Sequence, residues 1–269
     1  MKSPIIYYGG KTSMIPFILP LIPQHDVYTE TFFGGGAIFW AKTKCPNETI
    51  NDTLDLVVNF YTVLKQNYKP LKKMISATLF SKSLHAKALF IAKHPEIFDK
   101  VERAWAFWFC SNFSYGNKIG GGIKYSNHQR LLPPRVMINL KNQFTDMLVK
   151  RIEETHIECR DAVEVLKSRN VRQAFHFIDP PYPNADQGHY RGYTFSHFEK
   201  LLQQCENLKG KFMLCNYNSE MLDAYVEKNN WWKKEIQIDR PSMRRNNLLK
   251  TEVLVGNYQC NVTLQLNLV

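Results

Sequence analysis

Five residues, Ala174-Phe175-His176-Phe177-Ile178, run directly into Asp179-Pro180-Pro181-Tyr182. The five lack helical spacing and are rich in aromatic side chains, which is how a strand covered on both faces reads. The two prolines fix the backbone and remove two N–H donors, so the strand must stop there. The carbonyls of Asp179 and Pro180 are then expected to point outward without backbone partners. A buried strand delivering a rigid acceptor cluster beside an aromatic plate is the constraint that the remaining chain has to satisfy.

That constraint sits in a chain of 269 residues, long enough for one large domain or a domain with an insert. No stretch approaches the roughly 20 apolar residues of a membrane span, and the first residues lack the apolar core of a signal peptide. The expectation is a soluble, cytoplasmic protein with no membrane partner. Six cysteines (Cys45, Cys110, Cys159, Cys205, Cys215, Cys260) lie far apart with no C-x-x-C pair. The spacing argues for reduced thiols and against a disulfide framework or a zinc site, so no metal is expected. The formal net charge is +11. Residues 62–151 carry 16 Lys and Arg against 4 Asp and Glu, while the rest of the chain carries 19 against 20. The excess therefore belongs to one middle segment, the footprint of a nucleic-acid-binding module or, more plainly, of a solvated basic surface.

Around that segment the pattern alternates strand and helix. Tyr7-Tyr8-Gly9-Gly10-Lys11 puts a tight turn and a lysine after aromatics, and Thr12 to Leu19 is expected to form a short helix interrupted by Pro16. Val27 to Thr31 reads as a strand, Phe32-Phe33-Gly34-Gly35-Gly36 as a glycine loop, and Ala37 onward as a helix start. Strand, glycine loop and helix outline a nucleotide-binding unit. A second strand ends at Asn51-Asp52, 18 residues after Gly34. An acid at that distance can accept hydrogen bonds from ribose hydroxyls, or it can cap the following helix.

Helical spacing is expected over Leu56–Leu64, Leu71–Phe90, Val101–Phe109 and Val136–Leu148. Between the last two, Ser114 to Tyr125 reads as two short strand-like pieces about a glycine turn, a candidate DNA-groove hairpin carrying Tyr115, Asn117, Lys118 and Lys124. Arg130 and Arg135 follow around Pro133-Pro134. The alternation resumes with His156–Cys159 leading to Asp161, a helix over Ala162–Lys167, and the strand that ends at Asp179. Pro183 to Thr194 reads as a loop beside the turn. Ser196-x-x-Glu199 has capping-box spacing at the start of a helix. Strands at Lys211–Cys215, Trp232–Ile238 and Glu252–Tyr258 flank a helix at Met221–Lys228.

An acceptor cluster such as Asp179 with the Pro180 carbonyl suits an exocyclic aromatic amine. Its lone pair is delocalised into the ring, and two acceptors on its N–H bonds help to localise it, while Tyr182 can stack on the ring. The tetrapeptide matches the [DNS]PP[YFW] motif of nucleic-acid amino-methyltransferases. With Tyr7 to Lys11, Glu30 to Gly36, Asn51-Asp52, Asp161 and Glu252-Val253-Leu254 in order, the chain resembles the Dam-type N6-adenine DNA methyltransferases.

The resemblance implies an α/β, Rossmann-like sheet of seven strands with the last antiparallel. It implies a catalytic domain of residues 1–61 and 152–269, and residues 62–151 as an inserted, mainly helical target-recognition domain carrying the hairpin. It also implies S-adenosylmethionine as methyl donor, no metal, double-stranded DNA as partner, a monomer, and a cognate restriction endonuclease in the same system. The setting would be a bacterial cell or a phage-infected host. By position, Tyr7, Lys11, Phe32, Gly34, Gly36, Asp52, Asp161 and Asp179 match cofactor-binding residues, and Asp179, Pro180 and Tyr182 match the catalytic turn that receives a flipped-out adenine. The hairpin departs from the N-V-P-x-G-x-Y-like run of GATC-specific members, since only Gly122-Ile123-Lys124-Tyr125 stands there. An RNA adenine or cytosine-N4 methyltransferase shares the same acceptor logic, and a non-catalytic DNA-binding regulator could keep the fold.

Overall fold

The computed structural model describes residues 1–126, 132–183, 190, 192–238 and 250–260. Near the N-terminus, α1 (Ile15–Ile18) lies between 3-10 turns at Thr12–Met14 and Leu19–Leu21. Pro16 sits in the first turn of α1, where its missing N–H costs nothing, so it starts the helix rather than interrupting it. In chain order follow β1 (Val27–Glu30), α2 (Ala37–Ala41), β2 (Asn47–Asn51), α3 (Asp55–Gln66), α4 (Tyr68–Ala77), α5 (Lys82–Lys93), α6 (Lys100–Phe113), α7 (Pro133–Gln143) and α8 (Asp146–Ile152). The second half contains β3 (His156–Glu158), α9 (Ala162–Ser168), β4 (Ala174–Ile178), α10 (Phe195–Glu206), β5 (Lys211–Asn216), α11 (Glu220–Asn229), β6 (Trp232–Ile238) and β7 (Lys250–Gly256).

The seven strands form one sheet in the order β3-β2-β1-β4-β5-β7-β6. Pairings among β1 to β5 are parallel, whereas β7 runs antiparallel to both β5 and β6, as expected for the last strand. The strand order reverses between β1 and β4, so a crevice opens at their carboxyl ends, the usual ligand position in such sheets. Glu30 ends β1 there, and Asp179 follows β4.

Alternation along β4 distributes its side chains to two cores. Phe175 and Phe177 face a cluster built from Ile18, Phe39, Phe60 and the aromatic face of α6, whereas Ile178 faces a second cluster with Leu166, Leu202 and Leu222 on α9, α10 and α11. All five residues of β4 are buried. The first cluster runs without a break from the sheet into α3 and α6, and residues 61 and 62 both lie inside α3. Helix α6 is apolar nearly all round, with every residue from Ala104 to Phe113 buried, and Asp99 caps it through a capping box with Glu102.

The structure departs from the sequence expectation in four places, two through tertiary contacts and two through local backbone geometry. The helical spacing over 71–90 breaks at Thr78, whose hydroxyl donates to the Met74 carbonyl (2.7 Å) and accepts from the Trp105 indole (2.7 Å), stopping α4. The spacing over 136–148 breaks at buried Phe144, which stacks on Tyr68 with ring centroids 5.8 Å apart. Helix α10 is capped by Thr194 with His197, two residues earlier than Ser196 and Glu199 suggest. The expected hairpin reduces to one antiparallel bridge, Ser114 to Ile123, because Gly116 and Asn117 both adopt left-handed backbone and curl the segment into a 3-10 turn at Tyr115–Asn117. Arg130 lies outside the described residues, as do Asp186, Gly188, His189 and Arg191 of the 183–194 loop.

His176 in β4 is fully buried, and neither of its ring nitrogens has a hydrogen-bond partner among the described residues. Burial lowers its pKa to about 4. The unfolded chain therefore takes up this proton first as pH falls. Stability is retained above about pH 6.5, is lost progressively toward pH 4, and that loss amounts to roughly 3 kcal/mol in all. His176→Phe should flatten this limb in urea titrations at stepped pH; an unchanged slope would assign the loss to other groups. Asp99→Ala should cost about 1 kcal/mol through the lost cap, read from the same titrations at neutral pH.

Candidate active site

The crevice at the β1/β4 switch holds a cavity of about 320 Å³, lined by Glu30, the 32–36 loop, Tyr7 to Lys11, Asp179 to Tyr182, Tyr190 and Tyr217. Its chemistry centres on four buried ionisable groups. Lys11 Nζ lies 2.7 Å from Asp179 Oδ1 and 3.8 Å from Glu252 Oε2. The Tyr182 hydroxyl donates to Glu252 Oε2 at 2.7 Å and approaches Asp179 Oδ1 at 3.3 Å. Burial raises the pKa of Asp179, with Lys11 opposing that rise. Burial alone would lower the pKa of Lys11, but Asp179 and Glu252 hold it above its ordinary value. The two shifts together keep the ammonium charged beside a carboxylate that is harder to ionise than usual.

Glu30 sits across the same cavity. Burial pushes its pKa up to about 8, even though it accepts from the Tyr28 hydroxyl (2.7 Å) and the Phe39 amide (3.2 Å). A cationic ligand entering this cavity would meet a site rich in carboxylates with one internal cation.

The glycine loop is shaped by backbone demands. Gly34 has φ +47 and donates its N–H to Asp52 Oδ2 (2.8 Å); an added Cβ would come within 2.6 Å of the Tyr7 ring. Gly36, the cap residue of α2, has φ +61, and a Cβ there would meet the Phe33 ring at 2.3 Å. Only glycine meets both requirements at these two positions. Asp52 is buried and does not cap α3, whose N-cap position is Leu54. Its Oδ1 accepts from the Leu54 amide (2.9 Å) just before α3, and its Oδ2 also accepts from the Tyr190 hydroxyl (2.7 Å). Tyr190 bonds in turn with the Tyr7 hydroxyl (2.9 Å).

Phe32, Pro181 and Tyr190 form the wall between this cavity and a larger cleft of about 980 Å³, lined further by Asp161, Tyr193 and residues of α9 and α10. Asp161 caps α9 by accepting from the Val163 (2.9 Å) and Glu164 (3.2 Å) amides, at the rim of that cleft. An elongated cationic nucleoside fits this pair of spaces, with acids at Glu30 and Asp179 at one end and an aromatic wall at Phe32 and Tyr193, while Asp52 stands behind the glycine loop and Tyr190 rather than on either lining.

Of the basic-segment residues, Tyr115 is exposed and Arg135 lies on the exposed side of α7. The Lys118 ammonium stands 4.4 Å over the Tyr8 ring, which lines the cavity, so this turn reaches the cavity mouth. Lys124 is half-buried and donates to the Asn112 carbonyl (2.6 Å) and to Asn117; burial lowers its pKa to about 8. Lys124 and Asn117 thus bond to each other and brace the turn internally.

Sequence reasoning did not assign roles to Glu30, Tyr190, Tyr217 or Glu252. Glu30 and Glu252 stood inside recognised stretches, and their signal was an acid within an otherwise apolar strand. Tyr217 offered no signal before the adjacency of β4 and β5 was known.

Residues 7–239 match the family model of the D12 class N6 adenine-specific DNA methyltransferases. A Type II methyltransferase, M1.LlaDCHI, of Lactococcus lactis subsp. cremoris is 23% identical, with 93% of each chain covered. The DNA N-6-adenine-methyltransferase of Escherichia phage P1 is 22% identical over 80% of this chain, a stretch covering 30% of the phage protein. With a family match that runs from the Tyr7 turn through β6, the chain belongs to the D12 class N6 adenine-specific DNA methyltransferases.

Proposed function

We propose that Asp179, Pro180 and Tyr182 hold a flipped-out adenine of duplex DNA at the β1/β4 crevice while its N6 amino group is methylated. The observation that carries this reading is the Lys11–Asp179 pair. Lys11 occupies Oδ1 of Asp179, which leaves Oδ2 and the Pro180 carbonyl to accept the two amino N–H bonds. S-adenosylmethionine, when bound, supplies an electrophilic methyl group on a sulfonium.

In the reaction the amino nitrogen forms a bond to the methyl carbon as the carbon–sulfur bond breaks, its electron pair going to sulfur. The nitrogen becomes cationic and would release its proton to solvent by way of the Asp179 carboxylate, to which its N–H is hydrogen-bonded on this reading. Asp179 opposes the developing charge, and its fixed position supplies alignment, the larger part of the acceleration. Glu30 and the glycine loop would face the donor's methionine end, Asp52 its ribose and the Asp161 cleft its adenine, with the Tyr190 hydroxyl standing on Asp52 until a ribose hydroxyl replaces it. Extrusion of the base is required because a stacked amino group cannot reach this buried carboxylate.

Residues 62–151 serve as the target-recognition insert. Their excess of basic side chains supplies backbone affinity, and the exposed Tyr115 at the cavity mouth is placed to enter the duplex beside the target. The Lactococcus relative favours a modification role alongside a restriction endonuclease.

Asp179→Ala should abolish methyl transfer to duplex DNA while retaining DNA affinity in a gel-shift titration; near-parent turnover would sink the assignment. Lys118→Ala combined with Arg135→Ala should reduce the slope of log K against log salt by about 2, roughly 0.9 for each phosphate no longer neutralised. An unchanged slope would remove these two residues from the DNA interface.

A further inference from the structure

We infer that Glu252 is a positioning residue for methyl transfer: its carboxylate holds the Tyr182 hydroxyl and so sets the ring on which the target base stacks. This rests on the reading of Asp179 and Tyr182 given above. Glu252 lies on β7, and the antiparallel direction of that strand is what makes the contact possible. Val253 pairs with Asn216, the last residue of β5, so Glu252 stands one step further along β7, beyond the end of β5. The beginning of β7 thereby reaches the carboxyl edge of the parallel strands, beside the catalytic turn.

Among the described residues the phenol meets two acceptors, and the distances separate them. Glu252 Oε2 is at 2.7 Å and Asp179 Oδ1 at 3.3 Å, with the latter already held by Lys11 at 2.7 Å. Directing the hydroxyl to Glu252 spares Asp179 for the substrate. The ring is also held from its side, where Tyr217 meets it edge-on with centroids 4.3 Å apart. Hydroxyl and ring edge together leave Tyr182 one orientation.

Packing alone does not account for an acid at this position. Glu252 is 1% exposed, and a buried carboxylate carries a desolvation cost that an apolar side chain on the same strand would avoid. Here the cost is offset by the phenol and by Lys11, both of which belong to the site.

Steady-state methylation of a duplex substrate, with cofactor affinity measured separately by equilibrium dialysis, tests the inference. Glu252→Ala should lower kcat about tenfold, the scale of one hydrogen bond to a charged group, with the cofactor Kd at the parent value. Glu252→Gln, which keeps an oxygen acceptor, should restore most of that loss. Tyr182→Phe removes only the hydroxyl and should reproduce the fall in kcat, and adding Glu252→Ala to it should cost little more. Parent-like kcat in Tyr182→Phe, full additivity of the two substitutions, or an equal loss in Gln and Ala would each overturn the inference. Should Glu252→Ala not fold, Tyr182→Phe decides alone. Inactive Asp179→Ala together with parent-like Tyr182→Phe would reject the role of Glu252 and keep the catalytic turn, whereas active Asp179→Ala would reject both.

Discussion

A carboxylate buried at a sheet edge stays ionised only beside a cation, and in this protein the cation next to Asp179 is Lys11, 2.7 Å away. Most of the local architecture serves that pair. Lys11 is brought in by the turn at Tyr7 to Gly10, closed by the Gly10 amide on the Tyr7 carbonyl (3.1 Å), and the segment before it is clamped to α6, where Asn112 accepts from the Ile6 amide (3.0 Å). The N-terminal strap, the central strand and the helices of the basic segment therefore meet at one ion pair. Glu252 completes the arrangement from the far side of the sheet.

The same concentration of acids explains the polarity of the crevice. Asp179 and Glu252 face the Lys11 ammonium, and Glu30 lines the same cavity, so among the described residues acids outnumber cations there. Burial pushes the Glu30 pKa up to about 8, so near neutral pH it is held largely as the neutral acid, and a neighbouring cation would favour its ionisation. On the proposed reading, one set of side chains would meet both the electrostatic demand of a sulfonium donor and that of a nitrogen becoming cationic.

Much of this was legible in the chain. Pro180 and Pro181 allow a strand to reach Asp179 and no further, whatever surrounds them. Gly34 and Gly36 announce positive φ, and β4 ends where its aromatic run ends. The alternation of strands and helices outside residues 62–151 located most of the elements, because period and punctuation are local properties, whereas the antiparallel last strand was implied by the family resemblance. Expectations failed where a distant side chain or an unforeseen local backbone conformation decided the outcome. Trp105 ends α4 at Thr78, Tyr68 pins Phe144 between α7 and α8, and two consecutive left-handed residues curl the segment that alternation suggested would be a hairpin.

The basic segment shows the same division. Its charge excess is a property of the sequence, but the division of labour among its lysines is not. Lys118 stands over Tyr8 at the cavity mouth while Lys124, six residues on, turns inward to the Asn112 carbonyl. Composition treats the two alike, and only backbone curvature at Gly116 and Asn117 separates them. By itself, then, the sequence determined the Asp179-Pro180-Pro181-Tyr182 turn, the glycine loop, the acid after β2 and the succession of elements along the chain, since each depends on residue type and short spacing. Tertiary structure alone decided that Lys11 meets Asp179, that Tyr190 stands on Asp52 and that Glu252 takes the Tyr182 hydroxyl. Those partners lie between 70 and 168 residues apart, and a sheet whose strand order differs from its chain order is what brings them within hydrogen-bond distance.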